Sequence, residues 1–391
     1  MSDLLKKVTR PTLHRGLEGV VVDETELSVI DGEAGELRYH GYRIEDLATG
    51  ADFEEVLHLL WHGHLPDAAE YEAFTRSMAE ERPVAEGVLD LVRELAAQDA
   101  EPMAALRSAV STLSAYDPEP DADPEDLDAA LRKGRRITAK IPTILAAFDR
   151  FRNGAAPVDP RADLGHAANF LYMLTGEEPD EVAAETFDMA LILHADHGLN
   201  ASTFTAMVVA STYADVYNAV TAGIAALAGP WHGGANQDVM ETLLALDESG
   251  EDPVTWTKDR LEAGGRIPGF GHRVYEVKDP RAVLLQERSE ALAESTGDRK
   301  WYDYTTSIEA FLMDEQALGE RGIAPNVDFY SGSVYYQLGI PIDLYTPIFA
   351  MSRVGGWVGH VLEYQTNNRL IRPRARYVGP EDQAFVPLAE R

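Results

Sequence analysis

The chain has 391 residues and a formal net charge of −32, with 66 Asp and Glu against 34 Lys and Arg. So negative a field repels nucleic acid and anionic membranes, so neither is expected as a partner. The absence of cysteine excludes disulfides, thiolate catalysis and Cys-ligated metal centres. An apolar share of 45% is enough for a large core. The acids form only short clusters, such as EPDADPE at 119–125; the rest are spread over helix faces, as in DEVAAETFD at 180–188. With few lysines among the cations, this reads as an acidic surface adapted to high salt. There a Debye length of about 3 Å at 1 M screens the self-repulsion.

The N-terminal MSDLLKKVTRP at 1–11 lacks the apolar core of a signal peptide, so a cytoplasmic, salt-rich location is expected. Residues 16–42 predict short strands and turns, because VVV is β-branched and DGEAG has turn chemistry. From there the pattern is helical almost to the end. FEEVLHLLWHGHLP, AAEYEAFTRSMAEE and EGVLDLVRELAAQ place apolar residues three and four apart, with Pro66, Pro83 and Pro102 between segments. Residues 197–214 and 216–237 contain no Asp, Glu, Lys or Arg. Their length would permit a membrane span. Asn200, Ser202, Thr203, Thr205, Ser211, Thr212, Asn218 and Thr221 interrupt them, which predicts buried helices at a subunit interface instead. The last 20 residues, from RPRARYVGP onward, are loop-like and hold Arg372, Arg374 and Arg376. The fold class is mainly α with a small N-terminal β element.

Five of the 11 histidines lie in or beside loops rich in Gly or Asn: His194 and His197 in HADHGLNAS, His232 in GPWHGGANQ, His272 in GFGHR and His360 in VGHVLEY. An isolated histidine is usually a satisfied core residue, but glycines let the backbone approach a ligand closely. Metal binding is one alternative, since His194 and His197 are three apart and His58 and His62 four apart. There is no HExxH, and HLLWHGHLP reads as a structural helix end, so no metal is expected. GxSxG and a βαβ alternation are both missing, which disfavours a serine hydrolase. Asp328, between Val327 and Phe329, is either a general base of raised pKa or a helix N-cap. The stretch IPGFGHRVYEVKDPR gathers scarce cations around His272: Arg266, Arg273, Lys278 and Arg281.

Together GPWHGGANQ, GFGHRVYEVKDPR and PNVDFYSG resemble the citrate synthase family, in the short archaeal and bacterial form. GLEGVVVDETELSVIDGEAGELRYHGY is similar to the family's opening hairpin, HADHGLNAST to its substrate loop, and SRVGGWVGHVLEY and RLIRPRARYVG to its C-terminal part, so the likeness spans nearly the whole chain. It implies a two-domain helical fold and a homodimer. Residues 1–233 and 338–391 would form a large domain carrying the dimer interface, and 234–337 a small one closing over CoA. It implies condensation of acetyl-CoA, as co-substrate, with oxaloacetate and water to citrate and CoA, without a further cofactor. Asp328 matches the family's base, His232 the donor to the thioester oxygen, and His272 the acid at the ketone. His197, Arg281, Arg353 and Arg372 match oxaloacetate contacts, Arg372 reaching across the dimer. Arg266, Gly271 and Arg273 are assigned to CoA. The family often has a basic residue near Glu276; Lys278 is the expected substitute. A 2-methylcitrate synthase acting on propionyl-CoA, or a non-catalytic CoA-binding homologue, would carry much of the same pattern.

The charge reading predicts that the thermal midpoint, followed by circular dichroism, falls as KCl is lowered from molar to millimolar. A midpoint independent of salt would refute it.

Overall fold

The computed structural model describes residues 12–380 and 382–391; the reading of residues 1–11 lies outside them. Among the described residues, a three-stranded antiparallel sheet, β1 (Ser28–Asp31), β2 (Glu36–Tyr39) and β3 (Tyr42–Arg43), precedes sixteen α-helices. In chain order these are α1 (Ile44–Gly50), α2 (Phe53–His62), α3 (Ala68–Glu81), α4 (Glu86–Ala97), α5 (Pro102–Leu113), α6 (Leu127–Arg152), α7 (His166–Thr175) and α8 (Glu181–His194). The second half holds α9 (Ala201–Ala210), α10 (Val216–Leu227), α11 (Ala235–Ser249), α12 (Pro253–Glu262), α13 (Pro280–Thr296), α14 (Lys300–Ala310), α15 (Val327–Gln337) and α16 (Tyr345–Gln365). The mainly helical reading with a small β element therefore holds. The strand expected at Val20–Val22 does not form; all three valines are exposed. A β-branched run without a neighbouring strand has nothing to pair with. DGEAG does turn: Asp31 accepts hydrogen bonds from the N–H groups of Glu33 and Ala34.

Many acids serve as helix starts rather than as plain surface charge. Asp52 and Asp67 close capping boxes with Glu55 and Glu70, and Asp126, Asp180, Asp215, Asp252 and Asp279 each accept from first-turn N–H groups. A carboxylate there satisfies orphan donors and complements the helix dipole. Asp188, which the sequence places on a helix face, turns inward and accepts from the Phe53 N–H at 3.1 Å. The acidic cluster at 119–125 is also partly engaged: Glu119 takes a paired contact from Arg132 at 2.7 and 3.1 Å.

Helix α16 is the axis of the core. Every residue from Tyr345 to Val361 is buried, and α2, α6, α8, α9 and α10 pack round it. Two glycines set its distances. A Cβ on Gly356 would lie 2.5 Å from both the Ala195 carbonyl oxygen and Asp196 Oδ1; one on Gly355 would lie 2.5 Å from Leu57 Cδ2. The backbone N–H of Gly356 donates to Ala195 O at 3.0 Å, so the HADHG loop rests directly on α16. Helices α9 and α10, the expected Ala- and Thr-rich pair, pack mainly on each other, with Thr205, Val208 and Ala222 on partly exposed faces. Among the described residues no helix is long and apolar enough to cross a membrane.

Gly356→Ala should destabilise the protein by about 1–3 kcal/mol, because backbone and carboxylate must move to admit the methyl. Gly50→Ala, with open space at its Cβ, should be neutral or slightly stabilising. Urea unfolding in constant salt checks both, and equal midpoints would contradict the packing argument.

Candidate active site

Three loops and two helices converge. The first loop follows α8 and presents His197. Asp196 anchors it with three acceptor contacts: from Ser28 Oγ at 2.5 Å, from the Gly198 N–H at 3.0 Å and from His360 Nε2 at 3.1 Å. Tyr39 of β2 donates its hydroxyl to the Asp196 carbonyl at 2.8 Å. The N-terminal sheet is thus tied to the site, which accounts for a β element in a helical protein.

The second loop joins α10 to α11 and carries His232. Its Nε2 lies 3.2 Å from the Ser202 N–H and 2.9 Å from Ser202 Oγ. A backbone N–H can only donate, so Nε2 accepts and the ring proton is assigned to Nδ1. The adjacent Trp231 is almost fully exposed.

The third loop, 264–279, carries His272. Its Nδ1 accepts from the N–H groups of Val274 at 3.1 Å and Tyr275 at 3.3 Å, which assigns the proton to Nε2. Gly269 takes φ 82, and a Cβ there would meet the Phe329 Cβ at 2.7 Å. The Gly269 carbonyl accepts from the Asn326 N–H at 2.9 Å, and the Gly271 N–H donates to Ala324 O at 2.9 Å. These contacts lay the His272 loop against the start of α15, where Asp328 sits. The hairpin supports it from the other side, with the Glu276 N–H donating to Gly32 O at 3.1 Å.

Asp328 is not the helix cap. Asn326 is, accepting from the Asp328 N–H at 3.0 Å. The Asp328 carboxyl is therefore free for other chemistry. Burial raises its pKa to about 6, against the lowering pull of Arg281. The histidines shift the other way. Burial, with Arg353 for His232 and Arg281 for His272, lowers each to about 4. Burial and both arginines hold His197 well below its ordinary value. At neutral pH the site thus combines a carboxylate with uncharged imidazoles.

Arg281 and Arg353 are each 2% exposed. Arg281 meets Asp279 through two bonds, Nε to Oδ1 at 3.0 Å and Nη2 to Oδ2 at 2.7 Å. Burial works against its charge, but Asp279 outweighs it and holds the pKa above the ordinary value. Arg353 donates Nε to the His194 carbonyl at 2.7 Å; burial lowers its pKa to about 10. The rings of His197 and His272 are 5.2 Å apart, and Tyr275 lies 4.9 Å from His272 and 5.6 Å from His197.

The structure thus brings His197, His272, Arg281, Arg353 and Asp328 into one electrostatic neighbourhood, with His232 coupled to it through Arg353. It does not gather the rest. Arg266, Arg273 and Arg372 are exposed, and Arg372 lies in the extended segment after α16. Both backbone groups of Gly271 are used inside the protein, its carbonyl accepting from Asn326 Nδ2 at 2.9 Å, so its part is to shape the loop. Lys278 is not free for a CoA phosphate: Nζ donates to Glu309 and Gln286, each at 2.6 Å. Sequence reasoning missed Asp279, Tyr275, Asn326 and the anchoring work of Asp196 and His360. Only Asp279 left a local signal, as Asp before Pro at a helix start.

A mainly α fold with neutral imidazole donors, one raised carboxylate and two buried guanidiniums fits an enzyme that transfers acyl groups by activating a carbon acid. The description "Citrate synthase, C-terminal domain" matches residues 16–374. The citrate synthase of Haloferax volcanii is 60% identical over 97% of this chain and 99% of its own length. The crystal structure of citrate synthase from Pyrobaculum aerophilum superposes with a TM-score of 0.90 at 44% identity, covering 96% of this chain and 95% of that one. A ternary complex of carboxymethyl coenzyme A and oxaloacetate with the enzyme of Thermoplasma acidophilum gives 0.87 at 34% identity, covering 97% and 100%. Relatives described as 2-methylcitrate synthases match at lower identity, 38% and 40%. The chain belongs to the citrate synthase family, and its activity is citrate synthesis.

The carboxyl pKa sets a pH profile. Acting as the base, as proposed below, Asp328 would work ionised, so kcat/KM should fall as pH is lowered, with a single-proton limb centred at about pH 6, while the two histidines, at about 4, stay neutral above it. Steady-state rates from pH 5 to 8 at fixed salt test this; a flat profile across pH 6 would refute it.

Proposed function

We propose that Asp328, His232 and His272 perform the chemistry of citrate synthesis, with oxaloacetate held by Arg281, Arg353 and His197. The observation that carries this is the proton placement. His232 presents Nδ1–H and His272 presents Nε2–H, each because the opposite nitrogen is occupied by backbone N–H groups. Asp328 removes a proton from the acetyl methyl of acetyl-CoA. His232 donates to the thioester oxygen and stabilises the enolate as charge develops. The methylene carbon attacks the ketone carbon of oxaloacetate, and His272 gives its Nε2 proton to the forming alkoxide. Water then cleaves the citryl-CoA thioester, releasing citrate and CoA. Guanidiniums suit the dicarboxylate because they bind carboxylates in pairs and keep their charge. The solved relative with carboxymethyl coenzyme A and oxaloacetate supports this pairing of substrates.

Residues 234–337 form the small domain in this reading; α11 to α15 pack chiefly on one another, which supports it. The working unit is a homodimer. The partly exposed faces of α9 and α10 and the exposed apolar side chains of both chain ends, among them Val21, Tyr377, Val378 and Phe385, would be covered by a second copy. Arg372 then enters the partner's site, and Arg266 and Arg273, exposed beside His272, meet CoA. The acidic surface supports a halophilic protein; a cytoplasmic location and work without a further cofactor complete the reading.

Thiol release from acetyl-CoA in molar KCl should require oxaloacetate and exceed release from propionyl-CoA. Asp328→Asn should lose about 10²–10⁴-fold in kcat with an unchanged circular dichroism spectrum. Arg353→Ala should raise the KM for oxaloacetate far more than that for acetyl-CoA, since an unmatched buried charge costs about 2–5 kcal/mol. A propionyl-CoA preference would move the reading to 2-methylcitrate synthase, and an active Asp328→Asn would remove the base assignment.

A further inference from the structure

The turn between α2 and α3 holds a cluster that the citrate chemistry does not use. Sequence spacing pairs His58 with His62, and their rings do lie 4.3 Å apart; the fold also brings His58 together with His64 and Glu70. One ligand atom from each of these three lies within 4.8 Å of the others. Gly63 makes this possible by ending α2 in the left-handed conformation at φ 78, which folds His64 back over the helix.

Each side chain is already oriented from behind. His58 Nδ1 lies 3.0 Å from the His64 carbonyl, and His64 Nδ1 lies 3.1 Å from the His62 carbonyl. A carbonyl can only accept, so both rings carry a proton on Nδ1 and turn Nε2 toward the cluster, where that of His64 hydrogen-bonds Glu70 and a metal would displace the shared proton. Glu70 uses Oε2 to accept from the Asp67 N–H at 2.9 Å, which leaves Oε1 facing His64. His64 Nε2 and Glu70 Oε1 are 3.2 Å apart. Two ligands of one tetrahedral zinc ion, at bonds of about 2.0–2.1 Å, stand roughly 3.3 Å from each other. Backbone contacts to the remote nitrogen of each imidazole and to the second carboxylate oxygen are the outer support that metal ligands need. On one side His58 is buried and packs edge-on against Phe74 at 5.4 Å, an apolar wall for the site.

We propose that His58, His64 and Glu70 bind one divalent transition cation of the zinc class, with water as fourth ligand. Two imidazoles and one carboxylate favour such an ion over magnesium or calcium, which prefer all-oxygen sets. The ion would staple the end of α2 to the first turn of α3. Trp61, on α2, donates Nε1 to the Gly355 carbonyl at 2.9 Å, so the staple also steadies the seat of α16.

The experiment uses the full chain, dialysed against chelator and then titrated with ZnCl2 by calorimetry in molar KCl, which screens loose binding to surface acids. Co2+ is added in parallel to read four-coordinate visible absorption. One equivalent should bind, the thermal midpoint should rise with zinc, and citrate synthesis should remain without it. His64→Ala and Glu70→Gln, both exposed positions, should each weaken binding at least about tenfold while leaving basal activity unchanged. Failure of the parent chain to bind one equivalent, or undiminished affinity in either variant, would overturn the proposal.

Discussion

Arg353 keeps its guanidinium inside the protein, with its Nε on a backbone carbonyl and Asp196 and Asp328 as its anionic neighbours. Together with Arg281 it creates a buried positive field, and much of the site follows from that. Burial first and this field second oppose protonation of an imidazole, and together they depress His232 and His272 to about 4. Neutral imidazoles suit the chemistry, because a donor that stays uncharged can stabilise an enolate without first competing for the proton of the base. The same field pulls Asp328 down while burial pushes it up, and burial prevails. In the proposed function the two arginines are also what would make a dianion welcome in so acidic a chain.

Holding two such charges close requires short backbone distances, and glycine supplies them. Gly356 lets the HADHG loop lie on α16 beside Arg353, and Gly269 lets the His272 loop lie on α15 beside Asp328. Asp196 then acts as a hub, its carboxylate joining β1, α16 and the His197 loop through Ser28, His360 and the Gly198 N–H. Site and core are therefore one structure. A defect in the packing of α16 would reach the chemistry through these contacts rather than through a distant rearrangement.

Acid excess has several uses here besides solubility. Many Asp residues start helices, Asp117 and Glu119 bind Lys133, Arg132 and Arg136, and Asp279 neutralises Arg281. At high salt the exposed remainder is screened, while these buried or local contacts persist because salt reaches them poorly. The His58, His64 and Glu70 cluster fits the same pattern: Glu70 caps a helix with one oxygen and faces an imidazole with the other.

Much was legible from the chain alone. Helical periodicity, the turn at DGEAG and the loops around His197, His232, His272 and Asp328 were open to reading, because repeated spacing and Gly-rich context are local properties. VVV was misread for the same reason: β-propensity is local, but a strand needs a partner. Asp328 stood between two roles until the fold gave the cap to Asn326, two residues earlier. Lys278 looked available until α14 brought Glu309 to it. Which nitrogen of each histidine carries the proton depends on backbone N–H groups of Ser202, Val274 and Tyr275, and only folding aims them. The Asp196 hub and the pairing of His64 with Glu70 are likewise products of chain reversal. Residue types and spacing determined which groups were present and which elements would form. Only tertiary structure decided their partners, protons and pKa values, because these depend on distance and burial in space, which a linear pattern does not contain.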